Sequence, residues 1–336
     1  MSQQLNNAYD TYQAKGLRED LHDMISMITP DETPLISNIS DRNVKAVKTE
    51  WQVDALQAPN LSNAEVQGFE YEYDATQATS RVGNYTQIMS KQFLITETEE
   101  AVDKAGRKSE VAYQKAKKGL EIRTDLEAIM LSNQTSRAGS GSLPPLMGGL
   151  RAWLSSNDSL GSGGASGGYN SGTGAVDAAT NGSQRAFTKT LLDDTIQATY
   201  MSGGNPTMGM VSPYCKRVFS TFMSDTNVSA FRTPLNGKSQ GTIVGAADAY
   251  LSDFGLIDIV PNRQMARAGA AIARNIFLLD TGKLHKGWLR KIAEDKDVAK
   301  TGDAEPVVLK CEATLIVDNE AAHGVIADVY GMTTNT

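Results

Sequence analysis

The 336 residues carry 32 Lys+Arg against 39 Asp+Glu, a formal net charge of -7, which argues against a dedicated nucleic-acid binder whose affinity comes from neutralising phosphates. The chain is 40% hydrophobic and 21% charged, sufficient for one or two ordinary cores, and no run of about 18 apolar residues could cross a bilayer as a helix. Two cysteines, Cys215 and Cys311, are too few for a disulfide scaffold and suit a reducing compartment. The first 16 residues lack the charged-then-apolar build of a signal peptide.

Leu17, Leu21, Met24, Ile25 and Ile28 recur at helical spacing. Pro30 and Pro34 stop that helix, and Leu35, Ile36 and Ile39 then read as anchoring contacts. Residues 1–46 are therefore expected to form an arm clipped onto a larger body. From Val47 the period changes to two: Val47, Thr49, Trp51, Val53 and Ala55 alternate with polar residues, as in a half-buried strand. A second strand-like run covers 81–95, rich in β-branched and aromatic residues. The acidic stretch between them holds Glu65, Glu70, Glu72 and Asp74. Residues 47–95 thus predict a long β-hairpin flap, too thin to carry its own core. It needs another surface to lie on.

Thr96-Glu97-Thr98-Glu99 has the spacing of a capping box. No proline follows until past residue 134, and Glu97, Glu99, Glu100 and Asp103 crowd the start, as the helix dipole prefers. One helix over 97–134 would be about 55 Å long. Its apolar positions are too small and sparse for a coiled coil; lying across a sheet suits it better.

Within 155–183 there are 8 Gly and 7 Ser, with no Lys, Arg or Glu. Residues 139–184 therefore predict a flexible surface loop or insertion, tethered at its start by the apolar residues of 147–154. Residues 185–305 read as an α/β domain: an amphipathic helix over 187–201, a strand over 207–211, a helix after Ser212-Pro213 with its N-cap and N1 proline, and short strands over 242–251, 256–260 and 275–280. Strands over 307–317 and 324–330 close the chain.

No catalytic constellation emerges. His22, His285 and His323 are far apart and have none of the paired spacings of zinc sites. Cys215 sits at a helix start, where a thiol can be activated, but reads better as a small buried hydrophobe. Gly237-Lys238-Ser239 resembles the tail of a phosphate loop, yet Arg232 occupies the position of the required leading glycine. Gly164-Ala165-Ser166-Gly167-Gly168 matches G-x-S-x-G without the strand-turn-helix context of a nucleophile elbow. Asp193-Asp194 and the acidic group at 97–100 read as solvated helix faces. The basic cluster Lys115, Lys117, Lys118 and Arg123 reads equally as a solvated face or a partner contact. No catalytic residue, cofactor or metal is assigned.

The order of parts is the more informative signal. An arm, a long flap, a long charged helix and an α/β domain closing on strands resemble a tailed-phage major capsid protein of the Hong Kong 97 fold. Several segments are similar to one branch of these proteins: Asp31-Glu32-Thr33-Pro34-Leu35; Val211-Ser212-Pro213-Tyr214-Cys215-Lys216-Arg217-Val218-Phe219; Leu256-Ile257-Asp258-Ile259-Val260-Pro261-Asn262-Arg263; and Lys300-Thr301-Gly302-Asp303-Ala304-Glu305, followed by Ala313-Thr314-Leu315 and Asn319-Glu320-Ala321-Ala322-His323-Gly324. The resemblance covers nearly the whole chain. It implies an α+β fold with an N-terminal arm (1–46), an extended loop (47–95), a spine helix and the start of a peripheral domain (96–138), a Gly/Ser-rich insertion (139–184), a mainly axial domain (185–305) and C-terminal strands returning to the peripheral domain (306–336).

It also implies assembly of many copies, as hexamers and pentamers, into an icosahedral shell around a double-stranded DNA genome. The partners would be the chain itself, a portal protein, a separate scaffolding protein, a decoration protein and, non-specifically, the packaged DNA, with no membrane. The shell would assemble in the host cytoplasm. With about 46 residues ahead of the flap, a fused scaffold is not expected. No lysine occurs between Lys48 and Lys91, so the flap-lysine crosslink of some relatives is not expected either. The acidic flap (Glu65, Glu70, Glu72, Asp74) and the basic helix cluster (Lys115, Lys117, Lys118) are candidate opposite faces of an inter-subunit contact, with Trp51, Tyr85 and Phe93 as aromatic anchors. Two other readings remain open here: an encapsulin-like compartment shell, and a cytoplasmic enzyme using the Gly-rich segment as a mobile loop.

Overall fold

In chain order the elements are α1 (Pro34–Asn38), β1 (Ser40–Asn43), β2 (Lys48–Val53), β3 (Ser80–Tyr85), β4 (Gln87–Thr96), α2 (Glu97–Ala101), α3 (Glu110–Leu131), α4 (Leu150–Trp153), β5 (Asp158–Ser159), β6 (Gly168–Asn170), β7 (Ala175–Asp177), α5 (Lys189–Met201), β8 (Met208–Val211), α6 (Pro213–Phe222), β9 (Ala249–Ser252), β10 (Gly255–Pro261), α7 (Arg263–Arg267), α8 (Ala270–Ala273), β11 (Ile276–Leu279), β12 (Leu284–Glu294), β13 (Ala304–Val317) and β14 (Gly324–Ile326). The computed structural model describes residues 29–70, 73, 75–103, 106–222, 248–300 and 302–332. The helix expected over 17–28, His22, the Arg232 and Gly237–Ser239 positions, and the start of the strand expected over 242–251 lie outside the described residues.

Two sheets organise the chain. A four-stranded sheet runs β1-β12-β13-β4, and a six-stranded mixed sheet runs β5-β14-β11-β8-β10-β9. Helix α3 lies across the first sheet, burying Ile122, Leu126, Met130 and Leu131 against Met89, Leu309, Cys311 and Leu315. Leu35, Ile36 and Ile39 of the arm enter the same core. A second cluster packs Leu192 and Ile196 of α5 and Cys215 and Phe219 of α6 onto Val211, Ile257, Ile259 and Leu278 of the six-stranded sheet.

Thr96 caps the helix, its hydroxyl accepting from Glu99 N at 3.4 Å, but it starts only a five-residue helix. The single helix expected over 97–134 is two helices. Gly106, at φ 77°, takes a left-handed backbone that glycine adopts freely, and Ser109 opens a new helix by accepting from Ala112 N at 3.1 Å. Glu100 reaches across the break to accept from Glu110 N at 2.9 Å. The remaining 22-residue α3 is about 33 Å long.

The strand-like run 81–95 is likewise two strands. β3 pairs with β2, from Lys48↔Tyr85 to Val53↔Ser80, whereas β4 pairs with β13, from Gln87↔Ala313 to Thr96↔Ala304. Thr86, buried between them, donates to Glu312 Oε1 at 2.7 Å and sends its amide to Val47 O. The hairpin is therefore short, and residues 54–79 extend beyond it.

The Gly/Ser-rich segment is packed rather than loose. Leu150, Ala152, Trp153 and Leu154 are buried in the first core together with Val176, and β6 pairs with β7. Asp328, fully buried, accepts from Gly161 N at 3.0 Å and Gly182 N at 2.9 Å, while its other oxygen meets Arg274 at 2.8 Å. Glu320 accepts from the amides of Ser155 and Ser156 at 2.6 Å. The expectation of flexibility read composition alone; these carboxylates supply acceptors for the backbone amides of the segment.

Candidate inter-subunit surfaces

The arm is fastened by one carboxylate. Glu127 of α3 is fully buried and accepts from Leu35 N at 2.7 Å, Ile36 N at 2.8 Å and Asn262 Nδ2 at 2.7 Å. Burial pushes its carboxyl up, and the two arm amides, Asn262 and Arg123 pull it back towards the charged form. Lys286 adds a bond from its ammonium to Ile36 O at 2.6 Å.

At the base of the flap, Glu50 lies between Lys48 (3.0 Å) and Arg81 (3.5 Å). The hydrogen bond from Lys48 holds the Glu50 carboxyl below its ordinary value. Trp51 stacks on Trp153 at 5.5 Å between ring centroids, and Trp153 on Tyr169 at 6.0 Å. Trp51 thus clamps the hairpin to the Gly/Ser segment of its own chain. Tyr85 ends β3 half-buried, under the Lys48 ammonium at 5.5 Å. Phe93 is half-buried on β4 opposite Val307 of β13. None of the three aromatics lies in the stretch 54–79.

That stretch is where exposure concentrates. Glu65 and Glu70 are exposed; Glu72 and Asp74 lie outside the described residues. Around them Leu56 is 100% exposed, Leu61 98% and Tyr73 94%. β4 adds Ile88 and Leu94, both more than half exposed, on the outer face of an edge strand. These two escaped the sequence reading, although they alternate with buried Met89 and Ile95 at a period of two.

The basic cluster of α3 is partly neutralised within the chain. Lys115 pairs with Glu294 of β12 at 2.9 Å, and Lys118 with Glu121 at 2.8 Å. Lys117 is half-buried beside them. A groove of about 310 Å³ lies instead between the arm and the flap base, lined by residues 42–46, 48–51 and Ile316.

Among the described residues, nucleophiles and metal ligands are not gathered. Cys215 and Cys311 are buried, each thiol pushed up to about 11 by desolvation. His285 bridges Ser40 and Asp318, and His323 is enclosed. Among the described residues no group of three or more His, Cys, Asp or Glu is placed to hold a metal ion, and no helix is long and apolar enough to cross a membrane.

This architecture of fastened arm, projecting flap, helix across a sheet and second α/β layer is shared with capsid subunits. The cyanophage A-1(L) capsid subunit superposes with a TM-score of 0.63 at 12% identity, covering 96% of this chain and 98% of that one. A subunit of the native GTA particle capsid gives 0.59 at 13% identity, covering 95% and 97%. A chain from Gordonia phage Cozz gives 0.59 at 11% identity, covering 94% and 91%. The fold is therefore α+β and of the Hong Kong 97 capsid type.

The family model for the SU10 major capsid protein matches residues 3–330, and the chain belongs to that family. The major capsid protein of Escherichia phage Phieco32 is 34% identical over 124 residues, which are 37% of this chain and 35% of that relative's length. The match spans about a third of that relative.

Proposed function

We propose that many copies of this chain assemble, as hexamers and pentamers, into the icosahedral head that encloses the double-stranded DNA of a tailed phage. The observation that carries this reading is the family match over residues 3–330, on a subunit whose residues 54–79 expose large apolar side chains that its own cores leave uncovered. A single copy leaves that surface in water; a neighbour covers it. The role is structural rather than enzymatic, and the family placement favours a phage head over a cargo compartment. A portal protein, a separate scaffolding protein and a decoration protein are the expected partners, and assembly takes place in the host cytoplasm. The net charge of -7 suits an inner wall that touches packaged DNA without gripping it.

The test is the size of the purified product. Closed particles of megadalton mass in electron micrographs, sedimenting as one fast boundary, are the expected result. A monomer or small oligomer under every condition, with or without a co-expressed scaffold, would overturn it.

A further inference from the structure

Stretch 54–79 holds five acidic residues, Asp54, Glu65, Glu70, Glu72 and Asp74, and no Lys or Arg. It cannot neutralise itself, and its apolar residues Leu56 and Leu61 are almost completely exposed. Its natural counterpart is a basic surface with an apolar floor.

The groove at the flap base has both properties. Arg42, Lys45 and Lys48 line it, with Val44, Ala46 and Ile316 between them. Arg42 pairs with Asp318, and Lys48 and Arg81 pair with Glu50, while Asp41 is held by Lys286 at 2.9 Å. Lys45 is exposed and has no partner among the described residues. Lys115 and Lys118 of the helix cluster are paired inside the chain, as Arg42, Lys48 and Arg81 are here; the groove is preferred because it joins its spare cation, Lys45, to an apolar floor of Val44, Ala46 and Ile316.

We infer that the groove formed by residues 42–51 is the seat for the acidic flap of a second copy of this chain, with Lys45 facing Glu65 or Glu70. This rests on the shell reading and assigns one of its contacts. In the subunit Glu65 and Glu70 are exposed and no described residue of 54–79 lines the groove, so the seat is left for the flap of a neighbour. Repeated around a capsomer, the contact sets each flap in register by charge while apolar side chains cover the groove floor.

The experiment uses assembled particles of the full chain carrying Lys45→Cys with Glu65→Cys, or Lys45→Cys with Glu70→Cys, oxidised with glutathione disulfide. The native thiols are buried and stay silent. A ladder of covalent dimers and higher multimers on non-reducing gels from at least one pair is the expected result. Charge reversal gives a second reading: Lys45→Glu alone lowers particle yield, and combination with Glu65→Lys or Glu70→Lys restores it. Particles that yield no ladder from either pair, or a ladder only when Lys117→Cys replaces Lys45→Cys, would overturn the assignment while leaving the shell intact. Failure of the unmodified chain to form particles would sink the shell reading, and this contact with it.

Discussion

His323 shows how one enclosed side chain couples the fold to pH. Its Nδ1 accepts from Asp280 N at 3.1 Å, and burial lowers its pKa to about 4 from an ordinary 6.5. The unfolded chain therefore binds a proton between pH 6.5 and 4 that the folded chain refuses. Stability contributed by the neutral ring is present above pH 6.5, drains away as pH falls towards 4, and changes no further below it. Over that window the loss approaches about 3 kcal/mol. His323→Asn keeps an acceptor for Asp280 N but cannot titrate. In urea unfolding of unassembled subunits from pH 7 to 4, the variant is expected to lose less stability than the wild type; parallel curves would refute the assignment. Legibility at this scale was uneven. Leu35, Ile36 and Ile39 were readable as anchors because apolar residues after a proline stop have few other uses. Glu127, which fastens them, was not. It is one acidic residue among many on a charged helix, and only its distant partners Leu35, Ile36 and Asn262 single it out.

Among elements, local signals were reliable and long-range ones were not. The period-two alternation after Val47 marked β2, and Ser212-Pro213 marked the start of α6. The break at 102–109 was missed because a charge-rich, proline-free stretch reads as continuous helix, while Gly106 and Ser109 each have helical alternatives. The departure of β4 from the hairpin depends on β13, more than 200 residues away in the chain. The Gly/Ser segment is the clearest case, since its composition is that of a linker while its glycines serve packing. A Cβ on Gly161 would lie 2.1 Å from Ser183 O and 2.8 Å from the Asp328 side chain, atoms that cannot both retreat without losing the buried carboxylate's bonds. Gly161→Ala is therefore expected to lower subunit stability by about 1–3 kcal/mol. Gly141→Ala, where a Cβ meets nothing within 4 Å, should leave the midpoint within about 0.5 kcal/mol. Denaturant melts of the two side by side decide it: equal midpoints would mean that the segment is the loose loop its composition suggests.

At the scale of the whole molecule, the cores and the flap separate cleanly. Neither buried cluster includes any described residue from 54–79, and the nearest contributors are Trp51 and Val82 of the hairpin. Folding of the subunit thus depends on the arm, α3 and the two sheets, while the flap's apolar surface gains nothing until a neighbour covers it. Surface ion pairs contribute only about 0–1 kcal/mol each, so on the proposed reading the acidic flap guides registry while burial of Leu56, Leu61 and Tyr73 is expected to supply most of the cohesion between copies. Replacing 56–77 by a short Gly-Ser turn is therefore expected to leave the melting curve and circular dichroism of the isolated subunit nearly unchanged. The same deletion should abolish closed particles in sedimentation and electron microscopy, leaving monomers or open capsomers. The two readouts are expected to diverge, because one measures cores that no described flap residue enters and the other measures contacts that the proposal assigns to the flap. A deletion that unfolds the subunit would show that the hairpin needs its tip, and one that still closes shells would move the cohesion to the outer face of β4, where Ile88 and Leu94 are the remaining exposed apolar side chains on that edge strand.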